Sequence, residues 1–337
     1  MLIKNYALAN PVFTVIVVGL LSWAFHRWRT RPMKWKTEIY NSVASAKQTR
    51  VQGQDVLTKQ DAGRWFGAKK DDLPADTILV RNWHKALWDR HKDKLATDHY
   101  QVIIIGTPGI GKSLGLNYIL WEYLRAPKAV QKKRYVALIL PNSNEYFLFD
   151  TTTKKACRRD FFGRQELSHL IPFLDDLLVL HDLGTDAPVT PSDLPTVLAT
   201  SPKEDKYKEF RKNASNACLF YVPLFTDAEM DYMAANIMPS DHNYDAAWQG
   251  PSKRKHCTSW RDVAYFYGNV PRLVFGRSSF HNSIINQLDS LRQEKMELRI
   301  PPESRIPAIV EYVPSTDFKN VSIQFRSGYV AACIADM

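Results

Sequence analysis

The chain has 337 residues with 45% hydrophobic and 12% aromatic side chains, which excludes a disordered polyanion-like chain and supplies enough apolar surface for one large domain with an appendage, or two domains. Its formal charge of +10 favours polyanionic partners (nucleic acid, nucleotides, acidic membrane surfaces) without choosing among them, and fits a solubilising excess equally well. Four scattered cysteines with no Cys-x-x-Cys pair exclude a disulfide scaffold and suit a reducing compartment.

The first predicted element is apolar. Residues 6–25, "YALANPVFTVIVVGLLSWAF", carry no charge over 20 positions, long enough to span a bilayer as a helix. Arg27, Arg29, Arg31, Lys34 and Lys36 follow at once, with Trp23, Trp28 and Trp35 near the expected interface. That asymmetry predicts an N-terminal hydrophobic helix that anchors residues 1–36 in a membrane and leaves the body of the protein in the cytoplasm. A secretory signal peptide competes, although no small-x-small cleavage pattern follows and the basic cluster lies on the wrong side. A buried amphipathic start is the third reading.

Residues 37–98 form a polar extension dotted with Trp65, Trp83 and Trp88. In "ILVRNWHKALWDRH" the spacing of Leu79, Trp83 and Leu87 predicts a helix, and its aromatic residues read as packing groups.

The segment "QVIIIGTPGIGKS" is the strongest signal in the chain. Gly106, Thr107, Pro108, Gly109, Ile110, Gly111, Lys112 and Ser113 satisfy G-x-x-x-x-G-K-[ST] after a buried strand, and Leu114 opens the helix-like "LGLNYILWEYLR", with Leu116, Ile119, Leu120 and Leu124 on its core side. Gly109 and Gly111 permit the backbone to turn successive N–H groups inward as an anion nest, and the helix adds the positive end of its dipole. Lys112 then reaches the β- and γ-phosphates, and Ser113 offers its hydroxyl to Mg²⁺. The expected ligands are ATP and Mg²⁺. ATP is preferred to GTP because no Asn-Lys-x-Asp guanine reader occurs.

Hydrolysis also needs an acid at the end of a second buried strand to hold the metal. "YFLFD" ends at Asp150 and resembles one arm of a hairpin with "YVALIL", beside the main sheet. "LLVLHD" ends at Asp182 and stands alone, so Asp182 is preferred. The next apolar run, "TVLATSP", ends in Ser201, a candidate sensor of the γ-phosphate with Thr200 as its substitute; a plain turn before Pro202 explains it as well. Leu183, not a glutamate, follows Asp182, so turnover must recruit another base such as Asp186, or be slow. A helical lid is predicted beyond residue 225: Thr226 and Glu229 make a capping-box pattern, and "SIINQLDSLRQEKMEL" has a helical stripe.

Several stretches in order, "IIIGTPGIGKS", "VLATSPKEDKYKEFRKN", "LFYVPLFTDAEM", "FYGNVPRLVF" and "FRSGYVAACI", resemble the P-loop NTPase region shared by trypanosome retrotransposon hot spot proteins and oomycete Crinkler effectors. The similarity covers most of residues 100–337. It implies an ATPase of the AAA-like or STAND-like group, joined in some members to a restriction-type nuclease. By this resemblance Lys112 and Ser113 match the phosphate loop, Asp182 the metal-binding aspartate, and Arg272 the arginine of a Gly-x-x-Pro-Arg motif that faces the γ-phosphate from the lid. The chain departs from the families in having neither the Crinkler amino-terminal targeting module nor a nuclease constellation. Past Gly328 it ends within a continuing strand or helix, as a short member does.

The expected architecture is therefore an α/β P-loop NTPase with a mostly parallel central sheet: core 99–225, and helical lid with C-terminal extension 226–337. Three functions fit: a Mg²⁺-dependent ATPase coupled to remodelling, a nucleotide switch controlling a partner or a homo-oligomer, and an effector acting in a host cytoplasm or nucleus. The basic runs 154–159, 206–212 and 252–256 make a nucleic-acid partner plausible, with solvated surface as the simpler explanation.

Overall fold

The computed structural model describes residues 33–61, 64–66, 76–95, 97–140, 145–160, 173, 175–183, 194–202, 207, 210–211, 216–238, 257–275, 310–318, 321–325 and 327–335. The apolar run 6–25, Asp186, the stripe at 283–298, the basic run 252–256 and most of 206–212 lie outside them. Among the described residues no helix is long and apolar enough to cross a membrane.

Helix α1 (Thr37–Ala44) buries Tyr40 and Val43. Strands β1 (Lys47–Val51) and β2 (Gln54–Thr58) form a hairpin whose turn residues Gln52 and Gly53 both take positive φ, 48° and 80°, the backbone that matches the twist of a tight hairpin. Strand β3 (Thr77–Val80) pairs antiparallel with β2, and helix α2 (Asn82–His91) follows. Leu79, expected on a helical stripe with Trp83, is instead in β3. The helix begins only after Arg81, whose extended backbone frees its N–H to be accepted by His84 Nδ1 at 3.0 Å.

The main sheet is built from β4 (Tyr100–Ile105), β5 (Tyr135–Ile139), β6 (Glu145–Asp150), β7 (Lys155–Asp160), β8 (Leu177–Asp182), β9 (Thr196–Thr200) and β10 (Asn216–Tyr221), with helix α3 (Lys112–Arg125) between β4 and β5. Its order across the described residues is β10-β4-β9-β8-β5-β6-β7. The first five strands are mutually parallel, and β6 and β7 extend the sheet antiparallel. The pairing of "YVALIL" with "YFLFD" is thus internal to the main sheet, because β5 also pairs parallel with β8.

The apolar runs are buried on both faces, as parallel strands require. Val102 and Ile104 of β4 join one core with α3, while Ile103 and Ile105 join another with Leu198, Tyr207 and Phe210. The N-terminal extension packs into the first core rather than standing apart. Trp65, Trp83 and Trp88 are buried, Trp121 Nε1 donates to Ala46 O at 3.0 Å, and Tyr40 Oη donates to Leu124 O at 3.3 Å.

Beyond β10 come α4 (Asp227–Asn236), α5 (Trp260–Tyr267), the four-residue α6 (Pro271–Val274), the antiparallel pair β11 (Val310–Pro314) and β12 (Val321–Phe325), and α7 (Gly328–Ala335). Thr226 and Glu229 close the capping box at the start of α4.

Both outer strands of the sheet carry further pairing. Lys36 exchanges two backbone hydrogen bonds with Ala156 of β7, and Tyr221 N donates to Phe318 O on the β10 side. The basic run 154–159 supplies most of β7; Lys154 and Lys155 are exposed, and Arg158 pairs with Glu145.

Asp150 ends β6 beside Tyr135, the amino end of β5, and so at the opposite edge of the sheet from Asp182. Arg134 grips it bidentately, Nε to Oδ1 at 3.0 Å and Nη2 to Oδ2 at 2.6 Å. Burial pushes this carboxyl up, but the Arg134 bond and the Thr153 and Thr152 N–H groups outweigh it and hold it at about 2. A depressed carboxylate stabilises the fold above its unfolded value, near 4, and that contribution fades as pH falls toward 2. Because Arg134 is 40% exposed, screening reduces its worth to about 1–2 kcal/mol. Asp150→Asn should cost that much in urea unfolding at pH 7, with the difference from wild type shrinking on acidification from pH 4 to pH 2.

Candidate functional site

The site lies at the carboxyl edge of β10, β4, β9 and β8, where the register sets Tyr221, Ile105 and Thr200 at one level and Asp182 against Ala199. From Ile105 the chain enters the glycine loop. A Cβ on Gly106 would lie 2.5 Å from Ile110 Cδ1 and 3.2 Å from Val222 Cβ, so the loop closes around the fully buried Ile110 with no room for a side chain at its start. Gly109 and Gly111 take φ of +90° and +88°, the left-handed backbone that glycine adopts at least cost. Gly111 is also the N-cap of α3. No side chain caps that helix and no acid sits in its first turn, so its amino end keeps its positive character for an incoming anion. Thr107 is buried, Pro108 is exposed, and Leu114 packs partly against the core.

Lys112 folds its ammonium over the loop, donating to Gly106 O at 2.6 Å and Thr107 O at 2.9 Å. The Ser113 hydroxyl lies beside the Asp182 carboxylate, although β9 separates the strands from which the two residues follow. Burial raises the Asp182 carboxyl above the usual carboxylate range, and the Ser113 hydroxyl and the charges of Lys112 and Arg272 partly offset that. Burial holds the neighbouring His181 down at about 4, so it is neutral at pH 7.

Arg272, which no local pattern could place, lies against the loop. A Cβ on Gly109 would be 2.8 Å from Arg272 Cβ, 3.5 Å from its Cδ and 3.2 Å from Val270 Cγ1. Gly268, at φ 71°, ends α5 and turns the chain into α6, which carries Arg272. Gly109→Ala combines a strained backbone with this collision. It should cost about 1–3 kcal/mol in urea unfolding of the full chain.

The arrangement brings together Lys112, Ser113, Asp182 and Arg272 around Gly106–Leu114. Thr200 and Ser201, alternatives in the sequence, are both at this edge. Asp182 Oδ2, Thr200 Oγ1 and Ser201 Oγ are buried, and none has a hydrogen-bond partner. Three orphaned oxygens on adjacent strand ends are costly unless something polar meets them. They fit a hydrated divalent cation beside the loop. Among the described residues no group of three His, Cys, Asp or Glu side chains could hold a metal, so an ion here would depend on Ser113, Asp182, water and a phosphate. Arg81 and Asn269, which hydrogen-bond to the segment between β10 and α4, carry no sequence signal beyond a polar residue in an apolar setting.

Taken together, the described residues form an α/β protein with a glycine loop and a buried acid at the carboxyl edge of parallel strands. No family model matches the chain. Across 179 residues, 51% of the chain, it is 31% identical to Crinkler effector protein 15 and to Crinkler effector protein 16 of Phytophthora infestans. The matched region is 24% of each relative, so the chain spans about a quarter of their length.

Proposed function

We propose that this protein is a Crinkler-type effector built on a P-loop nucleotide site, which binds Mg-ATP and acts chiefly as a nucleotide-dependent switch with slow turnover. The observation that carries the reading is the glycine loop itself, with Gly109 and Gly111 at positive φ and Lys112 folded over its carbonyls, beside the buried, unpartnered oxygens of Asp182, Thr200 and Ser201. The similarity to two proteins named as effectors supports the effector part.

In this reading the N–H groups of the Gly109–Ser113 turn receive the phosphates. Lys112 would release the loop carbonyls to reach the terminal ones, and Ser113 and Asp182 are the residues that would hold a divalent metal. When bound there, the metal would supply charge neutralisation to the phosphates. Arg272, already resting on Gly109, senses the γ-phosphate, and Ser201 or Thr200 orients water. Leu183 stands where a base would follow Asp182, which is why slow turnover is favoured over fast hydrolysis. Residues 6–25 then act as an export signal; resistance to alkaline extraction from membranes would identify them instead as an anchor.

The test is nucleotide binding and phosphate release by the full chain in Mg-ATP, with and without DNA, repeated in EDTA. Tight Mg²⁺-dependent ATP binding with slow release supports the proposal, and sedimentation that changes with ATP supports the switch. No ATP binding in Mg²⁺ refutes it.

A further inference from the structure

We propose that Arg81, supplied by the N-terminal extension, is a positioning residue for Arg272, fixing the segment through which the lid reaches the glycine loop. This deepens the nucleotide-site reading above and rests on it. Arg81 is 4% exposed. Its Nε donates to Glu229 Oε1 at 3.1 Å, its Nη2 donates to the carbonyls of Pro223 and Leu224, and its guanidinium lies 3.9 Å from the Phe225 ring centroid. Every one of these partners belongs to the stretch that leaves β10 and enters α4.

That stretch touches the loop at one end and, at the other, Asn269, three residues ahead of Arg272. Val222 N donates to Ile105 O at 2.8 Å, and Val222 Cβ closes on Gly106. Phe225 N donates to Asn269 O at 3.2 Å, and Asn269 Nδ2 donates to Asp227 Oδ1 at 2.7 Å. Asn269 stands just ahead of Val270 and Arg272, the two residues packed on Gly109. Glu229 serves both sides, since its Oε2 accepts the Thr226 N–H at 2.8 Å while Oε1 holds Arg81.

Arg81 is equally tied to the helix that carries Lys112 and Ser113. It starts α2, and Trp83 in the first turn of α2 covers Gly115 of α3 so closely that a Cβ there would lie 2.2 Å from the indole. The result is a closed circuit: α3, Trp83, Arg81, residues 222–229, Asn269, Arg272 and back to Gly109. The acceptors lie on one carboxylate and two successive carbonyls, and Nε and Nη2 of a planar, preorganised fork meet them at fixed angles that the flexible stem of a lysine does not hold.

The experiment measures Mg²⁺-dependent binding of ADP and of a non-hydrolysable ATP analogue to the full chain as wild type, Arg81→Lys, Arg81→Met, Arg272→Ala and Arg81→Met/Arg272→Ala, with thermal melts of each. We expect Arg272→Ala to lower the triphosphate-over-diphosphate preference by about 10–100-fold, the scale of one lost charge-assisted contact. Arg81→Met should lower it similarly while leaving ADP affinity within about 2-fold, and the double variant should lose no more than Arg272→Ala alone. Arg81→Lys supplies the same comparison in a charge-retaining background if Arg81→Met fails to fold. Equal weakening of both nucleotides, or losses that multiply in the double variant, would overturn the positioning role. A wild type that binds neither nucleotide would overturn the nucleotide site itself, and this inference with it.

Discussion

Lys112→Ala should weaken Mg-ATP binding by about 100-fold while leaving the fold intact. The ammonium spans two carbonyls of its own loop, at 2.6 and 2.9 Å, so it is held where a polyphosphate would meet it and exchanges weak acceptors for charged ones on binding. A hydrogen bond to a charged partner contributes about 1.5–3 kcal/mol, so the net gain of one such contact accounts for the expected loss. The backbone nest and the amino end of α3 remain in the variant, which is why binding should fall rather than vanish. Titration calorimetry of both proteins at one ionic strength checks this, with melting temperatures as the folding control. An unchanged affinity would mean that nucleotide, if bound, is bound elsewhere.

Asp182→Asn should move stability and metal dependence in opposite directions. The carboxyl is raised mainly by burial, so the folded chain still holds the proton at a pH where the unfolded chain has released it. Stability therefore falls as pH rises from about 4 through the folded-state value, and the penalty is complete above it. Removing the charge relieves that penalty. The nucleotide-free variant should be about 1 kcal/mol more stable than wild type at pH 7, and its stability should lack this pH dependence. The same change removes the carboxylate proposed to hold the metal, so any gain in ATP affinity from Mg²⁺ is expected to drop by about 10–100-fold. Urea unfolding across pH 4–8, with ATP titrations in Mg²⁺ and in EDTA, reads both effects. A destabilised variant with intact Mg²⁺ dependence would contradict the role given to Asp182.

These two residues also mark how much the sequence disclosed. The path from β4 through Gly106–Ser113 into α3 was legible because one short run contains the β-branched strand, the positive-φ glycines and the helix start. Asp150 and Asp182 end similar apolar runs, and what separates them is register: β5 aligns Asp150 with its first residue, while β9 brings Asp182 level with the loop. Local pattern alone cannot supply that alignment. The spacing of Leu79 from Trp83 and Leu87 suits both a helical and a strand period, and pairing with β2 decides for the strand. Arg272 reaches Gly109 through a turn at Gly268, and Arg81 meets a carboxylate 148 positions away. Such contacts arise from tertiary packing, which leaves no periodic trace in the chain.

The most direct test of the central claim is a crystal structure of the protein with Mg²⁺ and a non-hydrolysable ATP analogue. The account requires the phosphates along Gly109–Ser113, Lys112 Nζ turned from the loop carbonyls onto phosphate oxygens, and the metal about 2.1 Å from Ser113 Oγ with Asp182 in its coordination sphere or one water removed. A nucleotide bound away from this loop, or a metal without Ser113 and Asp182 around it, would contradict the account.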